Sequence, residues 1–316
     1  MPKTVTLVLG SGSARGLAHI GVIHALEERG YAIRSIVGCS IGSVVGGLYA
    51  AGQLEAYTAW VCDLTRWDVL RFLDLSLTTR LGMMKGDLIM EKLRSLVGEQ
   101  QIEDLPIPFT AVATDIVKRK EVWLSSGDLF IAIRASMAIP GLFTPQQVGG
   151  RTLVDGGLLN PVPVAPATDN HNDLVIAVSL AGAPVVNPLG PPLAAPAALA
   201  EPAHRSHIES FLGSVQSLLG FESNASGHAG AALGSSGDAP ADPEKGLELT
   251  MSDVLIGVFD TMQTSISRYR LAAYPPDLLI EIPENICDPH DFHRARELVQ
   301  AGHYWTEQYL ARHGLD

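Results

Sequence analysis

Only three cysteines occur in 316 residues. Cys39, Cys62 and Cys287 lie far apart with no CxxC pair, which argues against a disulfide framework and a cysteine-based zinc site and suits a reducing compartment. Positive charge is also scarce: 22 lysines and arginines face 34 acidic residues, a net charge of -12. No basic cluster tracks a phosphate backbone, so nucleic-acid binding is not the expected function. No apolar run approaches the roughly 20 residues that span a bilayer. The short apolar stretch after Lys3 ends at Gly10, below the length of a signal-peptide core. These absences predict a cytoplasmic protein that meets membrane, where it does so, peripherally at the inner membrane through local apolar surface.

What is abundant is apolar and small. The apolar fraction is 47% and the charged fraction 18%, with 31 glycines, enough to bury a full core. Val5–Leu9 is a β-like run that stops at Gly10, and Leu17–Glu28 carries an apolar stripe at helical spacing. Ile33–Val37, the turn Gly38–Gly42 and the small apolar run Ser43–Ala51 repeat the pattern. Two such units in succession predict a mainly parallel sheet with helices on both faces. Further strands are expected at Phe109–Thr114, Glu121–Leu124, Leu174–Leu180 and Leu278–Ile282. Helices are expected at Gly86–Val97, Asp128–Met137 and His290–Ala311.

Between Gly182 and Gly246 the composition shifts to Pro, Ala, Gly and Ser. The segment reads as an insertion into a single domain spanning residues 1–316, part disordered and part lid. His204–Phe221 is its one amphipathic stretch.

Two glycine-rich turns carry the chemistry. Gly38-Cys39-Ser40-Ile41-Gly42 sits between a predicted strand and a predicted helix. There a sharp turn lifts the central serine clear of the sheet, and the flanking glycines leave room for close packing. Cys39, pointing the other way, reads as a buried core thiol. Gly10-Ser11-Gly12-Ser13-Ala14-Arg15-Gly16 presents successive amides to one concavity, suited to an oxyanion or a phosphate. It lacks the lysine of a P-loop. A dinucleotide site is the stronger competitor, but the second strand ends at Val37-Gly38-Cys39 without the acid or arginine such a site wants. Arg15 reads as a brace for loop carbonyls or a partner for an acid.

No histidine has local context beside Ser40. His19 reads as packing or supporting the first turn, and the late histidines suit only an ordinary hydrolase order. Asp155, in Leu153-Val154-Asp155-Gly156-Gly157, reads as a strand-end carboxylate with free backbone around it. Asp288, His290, Asp291 and His293 read as the start of the last helix. No metal or cofactor is expected.

Taken in order, LVLGSGSARGLAHIGVIHAL, GCSIGSVVGGLYA, FTAVATDI, IRASMAIPGLFTP and LVDGGLLNPVPV resemble the blocks of bacterial patatin-like phospholipases over about residues 4–180. The resemblance implies a three-layer α/β/α fold and a Ser-Asp dyad without histidine. Ser40 is then the nucleophile and Asp155 the base. The amides around Gly12, Ser13 and Ala14 form the oxyanion hole, and Arg15 holds the family's basic position. Gly10, Gly16, Gly38, Gly42, Gly156 and Gly157 shape the turns. Ser11 and Ser13 stand where many members have glycine. The implied activity is hydrolysis of lipid carboxylic esters through an acyl-enzyme, with Met137, Ile139, Leu142 and Phe143 as candidate walls of an acyl channel. The rival readings are a silent lipid-binding or scaffold protein of the same fold and a nicotinamide-dependent enzyme.

Overall fold

Alternation along the strands builds two apolar faces. In β1 (Thr4–Leu9), Leu7 and Leu9 join the larger core while Val8 joins a smaller one beneath the sheet. Ile36 and Val37 of β2 (Ala32–Cys39) divide the same way, as do Ile176 and Ala177 of β7 (Leu174–Gly182). A strand apolar on both sides must be covered on both sides. The larger core is closed by α1 (Ala18–Glu28), α2 (Ile41–Ala50), α6 (Leu129–Ser136) and α8 (Ala295–Arg312). The smaller is closed by Val162, Val164 and Ala167, with Leu271 of α7 (Met251–Ala273). The result is a three-layer α/β/α arrangement. The computed structural model describes residues 2–72, 85–168, 172–190 and 251–315.

The sheet runs β5-β6-β3-β2-β1-β7-β8, with β4 also paired to β3. The pairings among β3 (Phe109–Asp115), β2, β1, β7 and β8 (Leu278–Pro283) are parallel. Those of β4 (Lys120–Leu124), β5 (Gln146–Val148) and β6 (Arg151–Asp155) are antiparallel. The chain moves outward from β1 to β2 and β3 on one side, and later to β7 and β8 on the other. The turn after β1 therefore lies where the winding reverses, the usual position of a site in open α/β sheets.

The expected strands and helices form, with small shifts. The first helix opens as a 3-10 turn, Ser13–Leu17, before α1 begins. The last is preceded by the 3-10 turn Phe292–Arg294. There Asp291 accepts from the Asp288 amide at 3.2 Å and pairs with Arg294 at 3.4 Å. The helices α3 (Leu54–Cys62), α4 (Arg66–Phe72) and α7 were not anticipated; α5 (Asp87–Val97) was. Of the expected insertion, residues 191–246 lie outside the described residues, and with them His204–Phe221. Among the described residues no helix is long and apolar enough to cross a membrane.

Candidate active site

Register on β3 brings the site together. Cys39, the last residue of β2, stands opposite Val112. Asp155, the last of β6, stands opposite Ala113, one residue further along. β4 holds the other edge of β3 over Ala111 to Asp115, so β2 and β6 share one edge. One runs parallel to β3 and the other antiparallel, and their carboxyl ends meet head-on. Ser40 follows one end, and Asp155 is the other.

Ser40 joins β2 to α2 at φ 54 and ψ -123, a left-handed conformation that costs a non-glycine residue about 1–3 kcal/mol. Its amide donates to Ser136 Oγ at 2.9 Å, and its carbonyl accepts from Ser43 Oγ at 2.6 Å and from the Ser43 amide at 2.9 Å. α2 begins so close to β1 that a Cβ on Gly42 would come within 2.1 Å of the Leu9 carbonyl. Only glycine fits there. Gly38 is hemmed in by the backbone of Gly42 and Ser43, Gly16 by Ile41, and Gly10 by the Val178 carbonyl.

Asp155 is fully buried. Its Oδ1 accepts from the Gly157 amide at 2.7 Å, while Oδ2 has no hydrogen bond of ordinary geometry. Burial raises the carboxyl from its usual range to about 7, with the Ser40 hydroxyl and the Gly157 amide pulling it down. A carboxylate so tuned is half ionised near neutrality, the condition for a general base. Gly156 approaches the Val112 carbonyl and Cys39 Sγ too closely to carry a side chain. Cys39 itself is buried, its thiol pushed up by desolvation and by Asp155.

In the first turn, Gly10 and Ser11 donate their amides to the carbonyls of Val178 and Pro161. The Ala14 amide donates to the Pro289 carbonyl at 3.1 Å. This corrects the expectation that Ala14 offers a free donor: the loop carrying Pro289 lies far along the chain, and its packing here is not visible in sequence. The amides of Gly12 and Ser13 make no hydrogen bond to a described residue. Arg15 Nε donates to the Gly12 carbonyl at 3.3 Å, bracing the turn. His19, fully buried, lies 2.8 Å from the Gly10 carbonyl through Nε2, and burial lowers its pKa to about 4. It is therefore neutral near pH 7, with the proton on the nitrogen that meets the carbonyl. No described histidine hydrogen-bonds Ser40 or Asp155.

Ser13 sits at φ 50, a torsion that glycine adopts without penalty. Ser13→Gly is expected to stabilise the protein by about 0.5–1 kcal/mol in urea unfolding, because the strain removed slightly exceeds the flexibility added to the unfolded chain.

Sequence reasoning missed four neighbours. Ser136 contacts Ser40 as described. Asn160 is buried, donates to Glu121 Oε2 at 2.8 Å, and returns its amide to the Gly156 carbonyl at 2.9 Å. Arg270 of α7 completes that group, 3.2 Å from Glu121 Oε1. Gln263, also on α7, reaches Ser11 Oγ at 3.3 Å and lies against Gly157. Nothing near Gln263 in sequence marks it. Ser136 lay within a recognisable block but had no local cue of its own.

A polar cavity of about 80 Å³ opens beside the first turn, lined among others by Ser11, Arg15, Asp260, Gln263, Thr264 and Glu284. The residues expected to line an acyl channel divide. Phe143 is buried with its ring 5.3 Å from the Arg134 guanidinium, and Met137 packs on the main core. Ile139 and Leu142 are half-buried.

Residues 7–168 match the family model described as patatin-like phospholipase. The chain belongs to that family. An uncharacterized NTE family protein of Mycobacterium tuberculosis is 40% identical across 99% of this chain and 92% of its own length. Lysophospholipase NTE1 of Cryptococcus neoformans is 35% identical over 55% of this chain, which matches 11% of that much longer protein. Among solved structures, VipD from Legionella pneumophila aligns with 99% of this chain and 67% of its own at 16% identity, with a TM-score of 0.43. In this patatin-like chain both glycine-rich turns, Ser40 and Asp155 fall inside the matched span.

Proposed function

We propose that the chain is a serine acyl hydrolase cleaving carboxylic esters of lipids, phospholipase A- or lysophospholipase-like, with Ser40 as nucleophile and Asp155 as base. The observation that carries this reading is the meeting of β2 and β6 on β3, which sets a strained serine beside a buried carboxylate tuned to about 7. Asp155 takes the proton from Ser40 Oγ as the oxygen attacks the ester carbonyl. The oxyanion so formed is received by the amides of Gly12 and Ser13, with the first turn of α2 adding its dipole. Collapse expels the alcohol, which takes the proton from Asp155. Water, deprotonated by the same carboxylate, then attacks the acyl-serine and frees the fatty acid.

The polar cavity suits the alcohol side of such an ester, and the half-buried Ile139 and Leu142 are the residues proposed to meet the acyl chain. The family match and the lysophospholipase among the relatives support a lipid substrate. In this reading one hydrolase domain carries an insertion at 182–246. It works in the cytoplasm, where its three free cysteines stay reduced, and meets lipid at the surface.

Fatty-acid release from a lysophospholipid in mixed micelles, beside p-nitrophenyl esters of short and medium chain, tests the proposal. Hydrolysis is expected to rise with pH through about 7, because only ionised Asp155 accepts the proton. A protein that cleaves none of these esters, or whose rate falls as pH rises through 7, is not the enzyme proposed.

A further inference from the structure

β2 leaves the sheet at Cys39, so the next amide along the chain, that of Ser40, has no strand carbonyl to meet. A buried amide without a partner costs about 1–3 kcal/mol. Ser136, the last residue of α6 and fully buried, supplies one: its Oγ accepts from the Ser40 amide at 2.9 Å and donates to the Val112 carbonyl at 2.7 Å. Only a hydroxyl does both at once in so small a space. Val112 is the β3 residue facing Cys39, next to the residue facing Asp155. Two residues on from Ser136, the Ala138 carbonyl accepts from the Asp155 amide at 2.9 Å. The end of α6 therefore bonds the backbone of both Ser40 and Asp155 from outside the strands that carry them.

α6 is well anchored for this. Asp128 caps its start through the Ile131 amide at 2.8 Å and is itself gripped by Arg94 at 2.8 Å. The adjoining Arg134, buried, donates to the carbonyls of Lys85 and Thr144.

We infer that Ser136 is a positioning residue, whose hydroxyl ties the strained Ser40 peptide to β3 and so fixes the nucleophile against its base. The inference rests on Ser40 and Asp155 acting as proposed above. Without the tie, the Ser40 peptide is free to relax toward ordinary torsions and swing Oγ away. A displacement of about 1 Å at a reacting atom costs on the order of 100-fold in rate. Substrate binding surfaces are untouched, so the loss falls on kcat.

The test is a series of Ser136→Ala, Ser136→Thr and Ser136→Cys in the full chain, read only in variants that melt cooperatively with wild-type circular dichroism. The expected order of kcat is Ser and Thr, then Cys, then Ala, with Ala down about 10- to 100-fold and KM held within about twofold. Thr keeps both hydrogen bonds, and Cys keeps weak versions of them. The pH midpoint near 7 is expected to stay, since Ser136 does not touch the Asp155 carboxyl. If the alanine variant fails to fold, the cysteine variant carries the test, with a reduced kcat at unchanged KM. A folded alanine or cysteine variant with wild-type kcat overturns the inference, as does a change confined to KM. Ser40→Ala run alongside separates the two ideas: full activity there sinks the nucleophile reading, whereas loss there with a wild-type rate in Ser136→Ala sinks only the positioning role.

Discussion

Replacing Ser40 with alanine is expected to lower kcat/KM for lipid esters by about 10,000-fold or more, while the melting temperature stays near that of the wild type. In the proposed mechanism Ser40 Oγ is the attacking group, held at the end of β2 beside Asp155. The nearby thiol of Cys39 is buried against Gly156 and held protonated by desolvation and by Asp155. Ser40→Gly is expected to be equally inactive but to melt higher than Ser40→Ala, by about 1 kcal/mol in stability, because glycine accepts the left-handed torsion that alanine does not. Steady-state hydrolysis with thermal melts of all three proteins checks both statements. An active Ser40→Ala protein contradicts the first. A glycine variant no more stable than the alanine variant contradicts the second.

Asp155→Asn is expected to abolish turnover to a similar degree and, unusually for a buried substitution, to stabilise the fold at neutral pH. Asparagine keeps an oxygen for the Gly157 amide but takes no proton from serine. The folded-state value near 7 lies above the ordinary 3.8 of an unfolded aspartate. The native state therefore favours the protonated acid. The contribution of Asp155 to stability is fully present below about pH 4 and is lost as pH rises from there through about 7. Burying the ionised carboxylate costs up to about 4 kcal/mol above that range. Asparagine has no such loss, so its melting temperature should exceed the wild type's by several degrees at pH 8 and not at pH 4. Melts across that interval, paired with hydrolysis rates, measure it. A constant difference from pH 4 to pH 8 contradicts the raised value.

The two turns were legible because each is local. A β-like run, glycines at close spacing and a helical stripe sit within about thirty residues, and packing demands at Gly42 and Gly38 explain why glycines stand there. Asp155 was legible as a strand end beside two glycines, and its proposed role as base came from the resemblance of the family blocks. Contacts set by distant register were not legible. Ser136 meets Ser40 across 96 positions, and Pro289 takes the Ala14 amide from far along the chain. α7 left no readable stripe: Ser267 is buried on it, whereas Val258, Met262 and Tyr269 are exposed. Its Gln263, which meets Ser11 and Gly157, was invisible for the same reason.

The most direct measurement is labelling by a fluorophosphonate, whose phosphorus is attacked by an activated serine and retains it covalently. Intact mass and peptide mapping locate the adduct, and the rate is followed from pH 5 to 9. One equivalent on Ser40 is predicted, with a rate that climbs through about pH 7, none in Ser40→Ala and a much slower reaction in Asp155→Asn. An adduct on another residue, or a labelling rate in Asp155→Asn equal to that of the wild type, contradicts a serine driven by Asp155.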